Sequence, residues 1–481
     1  MVEMKSSFDE NMNGQSLPAG FIESLKNHLP NIVITDQEKL EKFLFEERGI
    51  YHGEAQIVLV PSSTEELAEA VKYCAAAGVP IVPQGGNTGL VGGAVTRGGE
   101  VLVSLSKMNK ISDIDPVNYT ITVEAGVILA DVQNAAAENG CLFPLSLGAE
   151  GSCTIGGNVA SNAGGVGVLK YGNARELTLG LEVVLPDGRV WNGMCPLFKD
   201  NSGYSLKNLF IGSEGSLGII TKVILKLFPK PEQIQTAFCA LPSVGAALDL
   251  LSLARRFSGD HVSAFELMSD FSLKIVCDHA SGVMPLQDRA PWYCLIELST
   301  PRPGTDMREI FEGILENAFE KHLINDAVIA ESLEQSARLW QLREMMPEAQ
   351  KKFGGSIKHD ISVPVSRVPE FISTAEKAVS DYMPEINICA FGHVGDGNVH
   401  FNLSQPEGME KAKFLEHWNR VNDIVHPIAS QLNGSISAEH GIGLLKVEEI
   451  KTYRSDVEQD LMREVKRIFD PLNLMNPGKF I

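Results

Sequence analysis

The period of the apolar positions changes along the chain. Q-I-V-L-V at 56–60 is a run of aliphatic residues that predicts a strand. Ser63 followed by Glu66 forms an S-x-x-E helix start, after which Leu67, Ala70, Val71 and Cys74 recur at helical spacing. Gly78 stops this helix, and V-P-I-V-P at 79–83 predicts the next strand, completing a βαβ unit. V-L-V-S-L at 101–105 predicts a further strand, whereas residues 15–48 read as a polar, helical lead-in. After K-L-F-P-K-P at 226–231, long helical stretches alternate with short strands to about residue 425, the pattern of an α+β domain. The chain closes with helical segments, including D-L-M-R-E-V-K-R-I-F-D at 460–470, and then D-P-L-N-L-M-N-P-G-K-F.

A chain of 481 residues is too long for one typical core, so two or three domains are expected. The formal net charge of -20 argues against general binding to nucleic acid or an anionic membrane, both of which require a basic surface. An anionic small substrate would therefore need local positive partners. No apolar run reaches the ~18 residues of a membrane span. The N-terminal M-V-E-M-K-S-S-F-D-E-N-M-N-G lacks the apolar segment of a secretory signal, and its early acidic residues suit a transit peptide poorly. None of the eight cysteines forms C-x-x-C, which argues against a cysteine-ligated iron–sulfur cluster or a zinc ribbon. Reduced, buried thiols in a cytoplasmic protein are expected.

Glycine is concentrated in three blocks: P-Q-G-G-N-T-G-L-V-G-G-A-V at 83–95, L-G-A-E-G-S-C-T-I-G-G-N-V-A-S-N-A-G-G at 147–165, and G-S-E-G-S-L-G-I-I-T at 212–221. The first runs into a strand and not into a helix, so it is not a Rossmann fingerprint. Its N–H groups can still form a nest for pyrophosphate. Glycine packs nothing in a core strand and loses folding entropy, so close approach of backbone to a large flat ligand explains the blocks better. Together they resemble the PCMH-type FAD-binding domain of the vanillyl-alcohol oxidase and p-cresol methylhydroxylase superfamily, over roughly residues 50 to 230. The resemblance implies cofactor contacts from Pro83, Gly85, Gly86, Asn87, Thr88, Gly89, Leu90, Pro144, Gly148, Ser152, Ile155, Gly156, Gly157, Asn158, Ala160, Ser161, Asn162, Gly164, Gly165, Tyr171, Glu214, Gly218, Ile219, Ile220 and Asn476. It places pyrophosphate on the first two blocks and the adenine end on the third. Asn87 stands where many members carry a flavin-linked histidine, which implies non-covalent FAD.

The stretch F-G-H-V-G-D-G-N-V-H-F-N at 391–402 raises a second chemistry. Asp396-Gly397 is a two-residue hairpin signal of type I′. With those residues as the loop, His393 lies directly opposite His400, and Asn402 shares their face. A pair of surface histidines is the plain alternative. The apolar flank I-N-I-C-A-F favours burial, and S-I-S-A-E-H-G-I-G at 435–443 offers Glu439 as a third ligand for zinc, iron(II) or manganese. Neighbouring His440 is a candidate acid/base group. Arg343 sits on a helix, where an ion pair with Glu344 or Glu348 is the usual outcome, and Lys358 lies in a strand-like run.

These stretches resemble the D-2-hydroxyacid dehydrogenase branch of the superfamily, which includes D-2-hydroxyglutarate and D-lactate dehydrogenases. The resemblance implies a divalent metal, typically zinc, on His393, His400 and Glu439. It implies substrate carboxylate binding by Arg343 and Lys358, a substrate contact from Asn402, and a base role for His440. Pro347 stands where 2-hydroxyglutarate enzymes can carry a hydroxyl residue. The expected reaction is metal-assisted oxidation of a D-2-hydroxy acid, with D-2-hydroxyglutarate favoured over D-lactate or D-malate. Hydride passes to flavin N5 and electrons pass to an electron-transfer flavoprotein or quinone. An oxygen-using oxidase and a non-catalytic flavoprotein subunit are the alternatives, and a homodimer is a further reading. The expected fold is α+β: a lead-in (1–48), a two-subdomain FAD-binding domain (49–232), an α+β substrate or cap domain (233–424) and a C-terminal helical segment closing on the FAD domain (425–481).

Overall fold

The computed structural model describes residues 16–480; the N-terminal segment read above as lacking a targeting signal lies outside them. The chain divides into two compact units, one formed by residues 165–171 and 231–438, the other by the stretches up to 164, 172–230 and 439 onward. The expected C-terminal segment is thus split after residue 438. The reason is local: Ser362 N donates to Ser435 O (3.1 Å) and Ser435 N to Ser362 O (2.8 Å), tying residues 435–438 to a sheet edge.

In the glycine-rich unit, the predicted βαβ is present. Strands Val58–Leu59 and Ile81–Gln84 flank Val101–Ser104 in parallel, joined by helix Thr64–Ala77. Ser63 Oγ accepts from Glu66 N (3.2 Å), while Glu66 reaches back to Ser62 N (2.8 Å), one residue earlier than a standard capping box. Gly78 ends the helix in the left-handed conformation, with φ +65°. The lead-in is not wholly helical. Between helices Phe21–His28 and Gln37–Leu44, Val33–Ile34 adds a fourth, antiparallel strand beside Val58–Leu59, as its β-branched side chains favour. Leu40 and Leu44 then pack with Val58, Val60, Val82 and Leu102. A second, five-stranded antiparallel sheet runs in the order Ile111–Asp115, Thr120–Glu124, Ile219–Lys226, Thr178–Val184, Val190–Gly193.

The glycine blocks lie between these strands and touch one another. A Cβ on Gly86 would stand 2.3 Å from Ser152 O, and one on Gly85 2.5 Å from Thr154 Oγ1. Some of the glycine is therefore explained by loop-on-loop packing within the protein. The C-terminal tail closes the arrangement. Ile81 N donates to Leu474 O (2.7 Å), and Asn476 Nδ2 donates to Gly93 O (3.0 Å) and Glu214 O (2.7 Å). Lys479 Nζ, buried, donates to Asn476 Oδ1 (2.8 Å).

The other unit is built on an eight-stranded antiparallel sheet, ordered Asp326–Ile329, Gln233–Leu241, Trp292–Thr300, Val262–Ser269, Asn387–Gly392, Asn398–Ser404, Ser356–Ile357, with Asp360–Ser362 also paired to Asn398–Ser404. Both faces are covered. Ala237, Cys239, Cys294, Ile296, Phe265, Val399 and Phe401 pack with helices Val244–Ser258, Met307–Glu320, Val368–Tyr382 and Trp418–Gln431. Their alternates Phe238, Tyr293, Leu295, Met268, Cys389 and Phe391 pack with Asp270–His279, Leu333–Glu344 and Met346–Phe353. Residues 165–171 belong here because Lys170 Nζ donates to Ser299 O (2.7 Å).

Two consequences are testable. Gly86→Ala should lower the unfolding free energy by about 1–3 kcal/mol, because backbone must move to admit the methyl group. Gly89→Ala, with no heavy atom within 4 Å of the added Cβ, should stay within about 0.5 kcal/mol of the parent in the same denaturant titration. Burial lowers the Lys479 ammonium to about 7, with Glu100 opposing and Arg97 reinforcing the shift. The unfolded chain would hold this proton to about 10.5, so between those values it binds more protons than the folded state, and stability rises with pH. Lys479→Met should flatten that rise when denaturation midpoints are compared across the window; an unchanged slope would contradict the assignment.

Candidate active site

The face of the eight-stranded sheet under helices Leu333–Glu344 and Met346–Phe353 carries the polar residues. In strand Asn398–Ser404, Val399, Phe401 and Leu403 enter the opposite core, which leaves His400 and Asn402 on this face. The hairpin register differs from expectation. Phe391, not His393, lies opposite His400, and Cys389 lies opposite Asn402. The strands end at Gly392 and resume at Asn398, so the connection holds five residues. A type I′ turn needs positive φ at both central positions, and only Gly397 (φ +89°) has it. Asp396 instead accepts from Asn398 N (3.1 Å), an Asx turn within a longer loop. The shift is by two residues, which preserves the face. His393, now in the loop, still meets His400 with ring centroids 5.7 Å apart at 78°.

Glu266 was not singled out from sequence. It stands on the inner strand Val262–Ser269, fully buried, between two partners. His393 Nδ1 lies 2.6 Å from its Oε1, and Arg343 Nε donates to its Oε2 at 2.7 Å. Burial pushes this carboxyl upward, but the His393 and Arg343 charges outweigh it and hold the group at about 2. Arg343 is therefore buried, with its guanidinium 4.8 Å over the Phe391 ring, and does not pair with Glu344 or Glu348.

Asp360 was also missed. It pairs directly with His400 on the adjacent strand, its Oδ1 lies 3.9 Å from His400 Nδ1, and it accepts from Asn398 Nδ2 (3.0 Å). Asn402 is held at both ends of its amide, donating to Gln350 Oε1 (3.0 Å) and accepting from His359 N (3.2 Å). Lys358 is half-buried at the break between strands Ser356–Ile357 and Asp360–Ser362. Pro347 occupies the first turn of helix Met346–Phe353, where a residue without an N–H is well tolerated.

In the glycine-rich unit the blocks line a cleft of about 1060 Å³. Of the residues read as cofactor contacts, Pro83, Gly85 to Gly89, Gly156, Gly157, Asn158, Ala160, Ser161, Glu214 and Gly218 to Ile220 line it. Leu90, Pro144, Gly148, Ser152, Ile155, Asn162, Gly164, Gly165 and Asn476 are not among its lining residues, and Tyr171 belongs to the other unit. Glu46, Thr154, Ser213 and residues 91–95 line it in addition; of these only Glu46 lies outside the three glycine blocks. Thr154 Oγ1 and Glu46 Oε1 are buried in this wall without a hydrogen-bond partner in the protein. Such orphaned polar atoms beside glycine backbone suit a polar ligand such as the expected dinucleotide.

His440 also lines this cleft, with Nε2 3.9 Å from Glu439 Oε1. Its segment is fixed by Glu214, whose two oxygens accept from Ile442 N (2.7 Å) and Gly443 N (2.8 Å). Glu214 has φ +50°, and burial raises its carboxyl despite these N–H groups. A Cβ on Gly441 would stand 2.6 Å from Glu214 Oε1, and one on Gly443 2.2 Å from Val91 O, which accounts for the G-I-G that follows His440. Glu214, expected at the adenine end of a cofactor, has a carboxylate engaged in holding this loop.

Comparison with known proteins agrees with both halves. Residues 55–193 match the FAD binding domain family and residues 230–480 the family of FAD linked oxidases, C-terminal domain. A D-2-hydroxyglutarate dehydrogenase, mitochondrial, of Arabidopsis thaliana is 39% identical over 450 residues, 93% of this chain and 79% of that protein. A candidate D-lactate dehydrogenase, mitochondrial, of Schizosaccharomyces pombe is 37% identical over 457 residues, 93% of this chain and 86% of that protein. The structure of p-cresol methylhydroxylase with substrate bound shares the fold, with a TM-score of 0.76 at 18% identity, over 95% of this chain and 96% of that one. The cytoplasmic placement expected above is corrected by the first two names, which point to the mitochondrion. The glycine-lined cleft, the histidine-bearing sheet and these relatives together establish that the chain belongs to the FAD-linked oxidase family, in its branch of flavin-dependent D-2-hydroxyacid dehydrogenases acting on a CH–OH donor.

Proposed function

We propose that the chain oxidises D-2-hydroxyglutarate, with D-lactate and D-malate as weaker candidates, to the 2-oxo acid, and that it delivers the electrons to an electron-transfer flavoprotein or a quinone. The observation that carries this reading is the presence of His440 on the glycine-lined cleft, where a proton acceptor and non-covalently bound flavin would share one space. The names of the relatives support the substrate class.

Bound FAD would accept the hydride equivalent, and a divalent cation on His393, His400 and Glu439, most simply zinc, would make the substrate hydroxyl more acidic. Two imidazoles and a carboxylate are an ordinary donor set for such an ion, and the meeting of His393 with His400 fits it. His440 takes the hydroxyl proton, a role suited to an imidazole near neutral pH. The Glu214 clamp keeps that imidazole at the cleft. Arg343 and Lys358 hold substrate carboxylate, and Asn402, fixed by Gln350, orders the floor beneath. The negative net charge makes these local cations the anion-attracting feature of the site.

The reading is tested by dye-linked turnover with paired D- and L-hydroxy acids. D-2-hydroxyglutarate should be turned over and its L-enantiomer should not. His400→Ala should lose about 100-fold or more of the rate while retaining its full flavin content. Lys358→Ala should lower kcat/KM about 10- to 100-fold, the range of a charge-assisted hydrogen bond of about 1.5–3 kcal/mol. Wild-type rates in His400→Ala would overturn the metal assignment.

A further inference from the structure

We propose that Glu266 is a positioning residue that fixes, through one carboxylate, both the metal-binding orientation of His393 and the anion-binding orientation of Arg343; this rests on the roles given to those two residues above. Glu266 interrupts the apolar run A-F-E-L-M on an inner strand and is fully buried. A charge in that position is unfavourable unless paired, and an apolar residue of similar volume often gives equal or better stability. Stability alone therefore does not explain an acid here.

The geometry does. The two carboxylate oxygens divide between two partners, Oε1 at 2.6 Å from His393 Nδ1 and Oε2 at 2.7 Å from Arg343 Nε. A carboxylate accepting at Nδ1 makes that nitrogen the protonated one, so Nε2, on the far side of the ring, presents the lone pair a cation requires. The same contact fixes the plane of the imidazole, whose backbone lies in a five-residue loop and not in the ladder. On the other side, the bond to Arg343 uses Nε and neither Nη, so the terminal edge of the guanidinium remains oriented for a second anion. The Phe391 ring, 4.8 Å beneath, limits its tilt. Phe391 also stands directly opposite His400 in the hairpin, so the support of Arg343 and of both histidines converges on one stretch of strand.

A residue that only stabilised the fold would leave metal affinity and substrate KM unchanged once the protein was folded. The test uses flavin-loaded full-length protein, with zinc affinity read by competition against a chromophoric chelator and KM read with D-2-hydroxyglutarate. Glu266→Gln keeps the size but places an amide N–H₂ against one of two donors. Zinc affinity should fall about 10- to 100-fold and KM should rise about 10-fold or more, with flavin content unchanged. A second set ends in a double variant that removes the acid together with its cation and so carries no lone buried charge. Arg343→Met, which keeps the Glu266–His393 contact, should bind zinc as the wild type does, whereas Glu266→Met with Arg343→Met should show the full loss. Equal zinc affinity in these two proteins, or wild-type affinity and KM in Glu266→Gln, would overturn the proposal. Failure of the underlying reading has a different signature: wild type binds no zinc, or His393→Ala binds it as tightly as wild type.

Discussion

A carboxylate buried within an eight-stranded sheet sets the terms for the polar face of this protein. Glu266 has no access to solvent, so its charge must be met inside the fold, and the two groups that meet it are an imidazole and a guanidinium. Such a triad is favourable only while all of its members are in place, because removing one leaves a buried charge uncompensated. That constraint aligns three pieces of chain far apart in sequence: the strand Val262–Ser269, the helix Leu333–Glu344 and the loop after Asn387–Gly392. Helices Leu333–Glu344 and Met346–Phe353 cover this face with apolar side chains, and the low dielectric they create strengthens the pairing. The charges supplied here are local, as an anionic substrate of a strongly acidic protein requires.

The glycine-rich unit solves a different problem. A flat dinucleotide needs backbone close by and few side chains between, yet loops without side chains have little to hold them. The loops here hold each other, with Gly85 and Gly86 against residues 152–154 and Gly443 against Val91. Hydrogen bonds from the tail complete the restraint through Asn476, and Glu214 joins the third block to the segment that carries His440. His440, the proposed proton acceptor, is thereby held on the glycine-lined cleft by backbone N–H groups, which cannot change rotamer.

Much of this was legible in the sequence. The three glycine blocks identified the cofactor domain, because glycine at that density has few other physical explanations. His400 and Asn402 were legible as one face, because a period of two survives a register error of two, and His393, now in the loop, still meets His400. The register itself was misread. Asp396-Gly397 has the composition of a two-residue turn, but whether Asp396 adopts positive φ depends on its surroundings, and its carboxylate caps the loop instead. Glu266 and Asp360 were illegible for a related reason. A lone acid in an apolar strand, or in the short D-I-S run, gives no local sign of which buried cation or imidazole will face it. The strand Val33–Ile34 was absorbed into a helical lead-in because two residues carry almost no periodic signal.

Oxidation of a D-2-hydroxy acid by a flavin enzyme of this family requires that hydride leave its Cα. Rapid mixing of the oxidised, flavin-loaded protein with D-2-hydroxyglutarate under anaerobic conditions tests it most directly, with the substrate carrying either hydrogen or deuterium at Cα. The flavin absorbance should bleach in a single turnover, and deuterium should slow this bleaching severalfold. A flavin that stays oxidised with every D-2-hydroxy acid tried, or bleaching that L-enantiomers produce equally well, would contradict it.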